Sequence, residues 1–131
     1  MKKIKKSDDV WEKILNPEEF YILRKNGTER PFSGKLLYNK KKGIYICAAC
    51  GNKIFDSKTK FDSGTGWPSF YDARKNAVEI KKDFSMFLPR TEVVCAKCGG
   101  HLGHVFNDAS KTPTGRRYCI NSVALGFEQK K

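Results

Sequence analysis

Five cysteines divide into two pairs and a remainder. Cys47-Ala48-Ala49-Cys50-Gly51 and Cys95-Ala96-Lys97-Cys98-Gly99 are two C-x-x-C-G knuckles. Two residues between thiols let one tight turn aim both sulfurs at a single ion, and two such turns complete a tetrahedral sulfur site for zinc. The glycine supplies the backbone freedom the turn requires. A closed site of this kind is structural, and in model peptides it contributes about 10–16 kcal/mol. A redox-active C-x-x-C would need a βαβ setting and would not explain a duplicated motif. Sulfur sites of this geometry also accept iron.

Cys119 is the cysteine left over, and it is expected to be a catalytic thiol. It lies in Arg116-Arg117-Tyr118-Cys119-Ile120-Asn121-Ser122, which alternates as a half-buried strand. Residues two apart share a face, so Arg117, Cys119 and Asn121 point one way while Tyr118 and Ile120 enter the core. An unpaired cysteine more often packs as a small hydrophobe. Here a guanidinium and an amide share its face, and a nearby cation lowers a thiol pKa. The only two histidines, His101 and His104, follow the second knuckle. The Cys98–His101 spacing would allow a metal ligand, but four cysteines already fill a tetrahedron. Imidazole is then free for proton transfer near neutral pH, or for ordinary loop hydrogen bonds. Phe61 to Phe70 carries Gly64-Thr65-Gly66-Trp67-Pro68, a tight loop that presents an indole as core or as the wall of a small apolar pocket.

The elements that must position these groups are mainly β. Ser7 caps a first helix carrying Val10, Trp11, Ile14 and Leu15. Asn16-Pro17-Glu18-Glu19 starts a second with a capping box, and Gly27 is expected to end it. From Lys35 onward, Leu36–Tyr38 and Ile44–Ile46 read as a hairpin across Asn39–Gly43. Further strands are expected at Lys53–Phe55, Ala77–Ile80, Thr91–Cys95, His104–Phe106, Arg117–Asn121 and Val123–Phe127. A chain of 131 residues suits one domain, 1–131, with 1–19 as an N-terminal arm.

Charge needs a separate reading, because the net value is +12. The lysines cluster at 2, 3, 5 and 6, at 40–42, and at 130 and 131. Such clusters are solvated ends and turns, so no nucleic-acid partner is expected. No apolar run approaches the length of a membrane helix, and no apolar segment follows the charged N-terminus. No membrane association and a cytoplasmic location are expected, where thiols stay reduced. A basic zinc module on nucleic acid, or a zinc-dependent chaperone, are readings that would have no use for Cys119, His104 or Trp67.

The chain from about Phe20 to Phe127 closely resembles the methionine sulfoxide reductase B family. The shared motifs are Gly27-Thr28-Glu29-Arg30-Pro31-Phe32-Ser33-Gly34, Gly66-Trp67-Pro68-Ser69-Phe70, Arg90-Thr91-Glu92-Val93, Gly100-His101-Leu102-Gly103-His104-Val105-Phe106 and Arg117-Tyr118-Cys119-Ile120-Asn121-Ser122. The resemblance implies a mainly β fold of two antiparallel sheets, with one zinc ion held by Cys47, Cys50, Cys95 and Cys98. It implies reduction of the R epimer of methionine sulfoxide in oxidised proteins. In that scheme the Cys119 thiolate attacks sulfur, and His104, assisted by His101, protonates the departing oxygen. Arg117 and Asn121 support the thiolate, and Trp67 stacks on the S-methyl group. Many relatives carry a resolving cysteine where this chain has Thr65. A sulfenic acid at Cys119 is therefore expected to be reduced by thioredoxin or another external thiol, in a monomer. Met86-Phe87-Leu88-Pro89 also departs from the family, which more often has Gly before Met.

Overall fold

Local chemistry opens the chain as expected. In the computed structural model, which describes residues 2–84 and 89–130, helix α1 is Asp8–Ile14 and helix α2 is Pro17–Arg24. The Asn16 side chain accepts from the Glu19 amide (2.8 Å), and Glu19 accepts from the Asn16 amide (3.1 Å), closing the capping box. Trp11, Leu15, Ile22 and Leu23 turn inward and are buried. The end of α2 differs from expectation. Asn26, not Gly27, takes the left-handed conformation (φ 56°). Gly27 is needed for another reason: any Cβ there would collide with the Tyr21 ring.

Among the described residues nine strands follow: β1 (Gly43–Cys47), β2 (Lys53–Asp56), β3 (Lys60–Phe61), β4 (Ser69–Phe70), β5 (Val78–Asp83), β6 (Arg90–Cys95), β7 (His101–Phe106), β8 (Arg117–Ile120) and β9 (Leu125–Gln129). They form two sheets, β2-β1-β9 and β3-β4-β8-β7-β6-β5, antiparallel throughout. Of the departure at Met86-Phe87-Leu88-Pro89, residues 86–88 lie outside the described residues.

The expected hairpin of Leu36–Tyr38 with Ile44–Ile46 does not form. Leu36–Tyr38 are consecutive turns, with Leu37 N–H on Gly34 O (3.3 Å) and Asn39 N–H on Leu36 O (3.2 Å). The Leu36 amide donates instead to Ser122 Oγ (2.9 Å), far along the chain. Strand β1 pairs with β2 and β9. The expected strand at Val123–Phe127 starts only at Leu125, because Ser122–Ala124 is a 3-10 turn whose Val123 amide is held by Glu29 (2.9 Å).

The two sheets meet through aromatic rings. Phe55 of β2 stacks on Phe70 of β4 at 4.2 Å and 7°, and Tyr45 of β1 meets Phe70 edge-on at 5.0 Å. Tyr118 packs against Phe55 from β8 at 5.8 Å. Such pairs contribute about 0.5–1.5 kcal/mol each beyond the area they bury. Tyr118 and Ile120 thus anchor β8 from the core side, and alternation sends Arg117 and Cys119 to the other face.

Strand β7 lies against β8 with no room for a side chain at Gly103. A Cβ there would collide with the Cys119 carbonyl oxygen and stand 2.9 Å from Ile120 Cα. Both obstacles are backbone, so neither can swing aside. Gly103→Ala should therefore force the β7–β8 ladder apart beside Cys119, destabilising the protein by about 1–3 kcal/mol. Chemical denaturation checks this, and an unchanged midpoint would show that the ladder accommodates the methyl group.

Candidate active site

The pairing register brings the candidate residues together from distant parts of the chain. In the β7–β8 ladder His104 stands opposite Cys119, and Phe106 opposite Arg117. On the other side of β8, Ser69 of β4 is opposite Cys119. Thr28, Thr65, Trp67, His104, Arg117, Cys119 and Asn121 line one cavity of about 200 Å³. This volume suits one unbranched side-chain end. Four of the expected site residues, together with the thiol, therefore share a single space.

Glu29 holds two walls of this cavity in register. Its carbonyl accepts from Trp67 Nε1 (3.1 Å), and its amide donates to Asn121 Oδ1 (3.0 Å). Asn121 Nδ2 in turn donates to Leu102 O (3.1 Å), tying the network to β7. Both ends of the Asn121 amide thus hold backbone groups while the residue lines the cavity. Burial pushes the Glu29 carboxyl up, against the pull of the Val123 and Ser122 amides.

The two histidines have separate places. His104 lines the cavity, and its Nε2 lies 2.8 Å from Asp83 Oδ2 at the end of β5. Asp83 also meets Arg90 at 3.2 Å. Burial lowers the His104 pKa, and Asp83 opposes this only in part. The resting imidazole is therefore neutral at pH 7, donating Nε2–H to Asp83 and keeping a lone pair on Nδ1. His101 is fully buried behind it, 2.7 Å from Glu92 Oε2, with its ring edge-on to His104 at 5.4 Å. His101 is not among the residues lining the cavity.

The electrostatics of Cys119 differ from the sequence expectation. Burial pushes its thiol above the ordinary range, although the Arg117 charge and the nearby Thr65 hydroxyl pull it down. Arg117 is less available than its position on the strand suggests. Its guanidinium is clamped by Asp108 through Nε (3.0 Å) and an Nη (2.9 Å), and it lies over the Phe106 ring at 4.5 Å. Asp83, Glu92, Glu29 and Asp108 were not candidates from sequence. The register sets Glu92 across from His104, although it bonds His101, and sets Asp83 across from Arg90.

Away from this cavity, the Sγ atoms of Cys47, Cys50, Cys95 and Cys98 all lie within 4.8 Å of one another. The two knuckles fold alike: Gly51 (φ 77°) and Gly99 (φ 76°) return their amides to Cys47 O and Cys95 O at 2.8 Å. Cys47 ends β1 in the small sheet and Cys95 ends β6 in the large one, so the cluster ties the sheets together. Asn52 Nδ2 and the Gly100 amide point N–H groups at Cys95 Sγ (3.6 Å) and Cys98 Sγ (3.4 Å). These four residues can hold a metal ion.

The model of the SelR domain matches residues 15–129. A protein of Methanosarcina barkeri named peptide methionine sulfoxide reductase MsrB is 58% identical over 131 residues, covering 99% of this chain and 92% of its own. A protein of the same name from Leptospira interrogans is 56% identical and covers 97% of each chain. The chloroplastic peptide methionine sulfoxide reductase B1 of Arabidopsis thaliana is 55% identical over 91% of this chain and 59% of its own. Among solved structures, the "Yippee-like" domain of Mis18 superposes with a TM-score of 0.53 at 20% identity, over 70% of this chain and 99% of that one. That likeness is one of fold alone. With nearly the whole length matched and a thiol, an imidazole and an indole on one small cavity, the chain belongs to the SelR family, the peptide methionine sulfoxide reductases of the MsrB type.

Proposed function

We propose that this protein reduces the R epimer of methionine sulfoxide in oxidised polypeptides, with Cys119 as nucleophile. The observation that carries the reading is the shared cavity of Cys119, His104 and Trp67. A sulfoxide sulfur carries a methyl group, an oxygen, the rest of the side chain and a lone pair. Recognition of its handedness needs separate contacts for methyl and oxygen, which the Trp67 indole and the His104 imidazole supply on different walls. Neutral His104 takes the Cys119 proton at Nδ1, and the resulting ion pair is the reactive form. The thiolate attacks sulfur, and the same proton passes from His104 to the sulfoxide oxygen. The S–O bond to methionine breaks, and oxygen leaves on Cys119 as a sulfenic acid. The released product is methionine. His101 acts behind His104, with Glu92 fixing its ring.

An external thiol then attacks the sulfenic sulfur, releasing water and leaving a mixed disulfide, and a second thiol frees Cys119. Thr65 has no sulfur to offer, and the other four thiols belong to the cluster. Thioredoxin, or another dithiol, supplies both equivalents. The protein works as a monomer in the cytoplasm. Among the described residues no helix is long and apolar enough to cross a membrane.

The cluster suits structural zinc. Zn–S bonds of about 2.3 Å in a tetrahedron separate the sulfurs by about 3.8 Å. The Cys47–Cys98 and Cys50–Cys95 sulfurs are 3.6 Å apart. When bound, the ion supplies cross-linking and no reaction step.

The reading is tested with a peptide holding separated R and S sulfoxide epimers and dithiothreitol as reductant. The R epimer should be consumed and the S epimer left. Equal consumption of both, or of neither, rejects the proposal.

A further inference from the structure

Trp67 lines two cavities, and the reaction above uses only one of them. The first is the space it shares with Cys119 and His104. The second is an open cleft of about 310 Å³, lined by Tyr38, Lys40, Lys41, Lys60 and Asp62 together with Trp67. The loop before Trp67 joins the two spaces a second time. Ser63 lines the cleft, Thr65 lines the catalytic cavity, and their hydroxyl oxygens are 2.8 Å apart.

The turns over 36–39 form one wall of the cleft, and long-range bonds hold them there. Lys60 Nζ donates to the Leu37 carbonyl (2.7 Å), and Asn39 Nδ2 donates to the hydroxyl of buried Tyr45 (2.9 Å). Tyr38, Lys40 and Lys41 are left exposed at the rim, Tyr38 at 72%. Among the described residues no acid forms an ion pair with Lys40, Lys41 or Lys60. Asp62 is the one acid among the described residues of the lining, and one of its oxygens accepts from the Gly64 amide (2.9 Å). Three lysines against one aspartate leave the cleft with two positive charges in excess. Burial lowers the Lys60 pKa; Asp62 opposes this, and the Lys40 charge adds to it. A carboxylate entering the cleft would relieve that crowding of like charge.

We propose that this cleft holds a flanking segment of the oxidised polypeptide and selects aspartate or glutamate two or three residues from the methionine sulfoxide. The proposal rests on the function given above, which seats the sulfoxide in the catalytic cavity. Continuity between the two spaces favours a segment of the same substrate over any separate anion. An extended chain advances about 3.3 Å per residue, so a side chain two or three positions away is carried about 7–10 Å, past a single indole. Trp67 and Tyr38 offer ring faces to the segment, and the lysines attract its carboxylate. An ammonium is a point charge on a flexible stem, which accepts a carboxylate from many directions. That tolerance suits an enzyme whose substrates share one oxidised side chain and differ in sequence around it.

The test measures binding without turnover. Zinc-loaded Cys119→Ser protein is titrated into fluorescein-labelled peptides that carry one methionine-R-sulfoxide, with aspartates or with lysines two and three residues to either side, and anisotropy is read. At low ionic strength the aspartate peptide should bind about tenfold more tightly, and added salt should shrink the difference. In the same background Lys40→Glu/Lys41→Glu should erase or invert the preference; both side chains are exposed, so the fold tolerates the change. Lys2→Glu/Lys5→Glu alters net charge by the same amount at residues that do not line the cleft, and should keep the preference. This control separates the cleft from the general attraction of a chain with net charge +12. Equal affinities for the two peptides, or equal losses in the two double variants, overturn the proposal, and the first of these leaves the cleft to another occupant such as the reductant. Epimer-specific consumption is measured separately, so failure of the reductase reading and failure of the cleft are distinguishable.

Discussion

Cys119→Ser should remove turnover by at least about a thousandfold while leaving the melting temperature and metal content unchanged. The hydroxyl fits the same half-buried space on β8, and Tyr118 and Ile120 still anchor the strand. An alcohol, however, ionises far above a thiol, and its oxygen cannot carry the sulfoxide oxygen away as a sulfenic acid does. The pH behaviour of the native protein follows from the same groups. Burial holds the Cys119 pKa above its ordinary value, so at neutral pH the thiol dominates, and alkylation of the free protein should climb as pH rises past the usual thiol range. Burial also keeps His104 neutral at pH 7. The two shifts are complementary, because a protonated thiol needs a base beside it. After one turnover without reductant, Cys119 should carry one added oxygen and react with dimedone. A disulfide between Cys119 and any cluster cysteine would sink the one-cysteine scheme, and residual turnover of Cys119→Ser above about a hundredth of native would sink its role as nucleophile.

How much of this was legible depends on how far each feature's cause lies along the chain. The capping box at Asn16–Glu19 and the knuckles at Cys47–Gly51 and Cys95–Gly99 are closed by neighbours, and they appear where the motifs put them. The face of β8 was equally readable, since alternation alone sends Tyr118 and Ile120 inward and Cys119 outward. Leu36–Tyr38 failed for the opposite reason. Two leucines and a tyrosine before a lysine- and glycine-bearing loop look like a hairpin arm, but the Leu36 amide is claimed by Ser122. Asp83 and Glu92 were invisible as site residues because their histidine partners are contributed by other strands, through a register no local pattern encodes. The thiol's electrostatics turn on a competition of magnitudes. Adjacency reveals the Arg117 charge, but neither the clamp of Asp108 on it nor the burial of the sulfur that outweighs it.

Removing the metal should cost the protein its cooperative fold as well as its activity. A four-thiolate zinc site is worth about 10–16 kcal/mol in model peptides, against about 5–15 kcal/mol for the net stability of a domain. The placement of this cluster makes the loss global. It joins the end of β1 to the end of β6, and β6 also carries Glu92, which holds His101, and Arg90, which meets Asp83. Fraying from Cys95 along β6 therefore reaches both histidines, although no cluster cysteine lines the cavity. A mercurial reagent with a chelator should release one zinc per chain, abolish near-ultraviolet circular dichroism and end turnover. Cys119 should then alkylate with the pH profile of an ordinary exposed thiol, near pKa ~8.5, because the burial that raises it is gone. Cys95→Ser should behave likewise without any reagent. Metal-free protein that keeps four reduced cluster thiols, its cooperative melt and its turnover would show that aromatic packing between the sheets suffices alone. The geometry argues against that outcome: the rings of Tyr45, Phe55, Phe70 and Tyr118 close one region of the sheet interface, and the cluster ties the ends of β1 and β6.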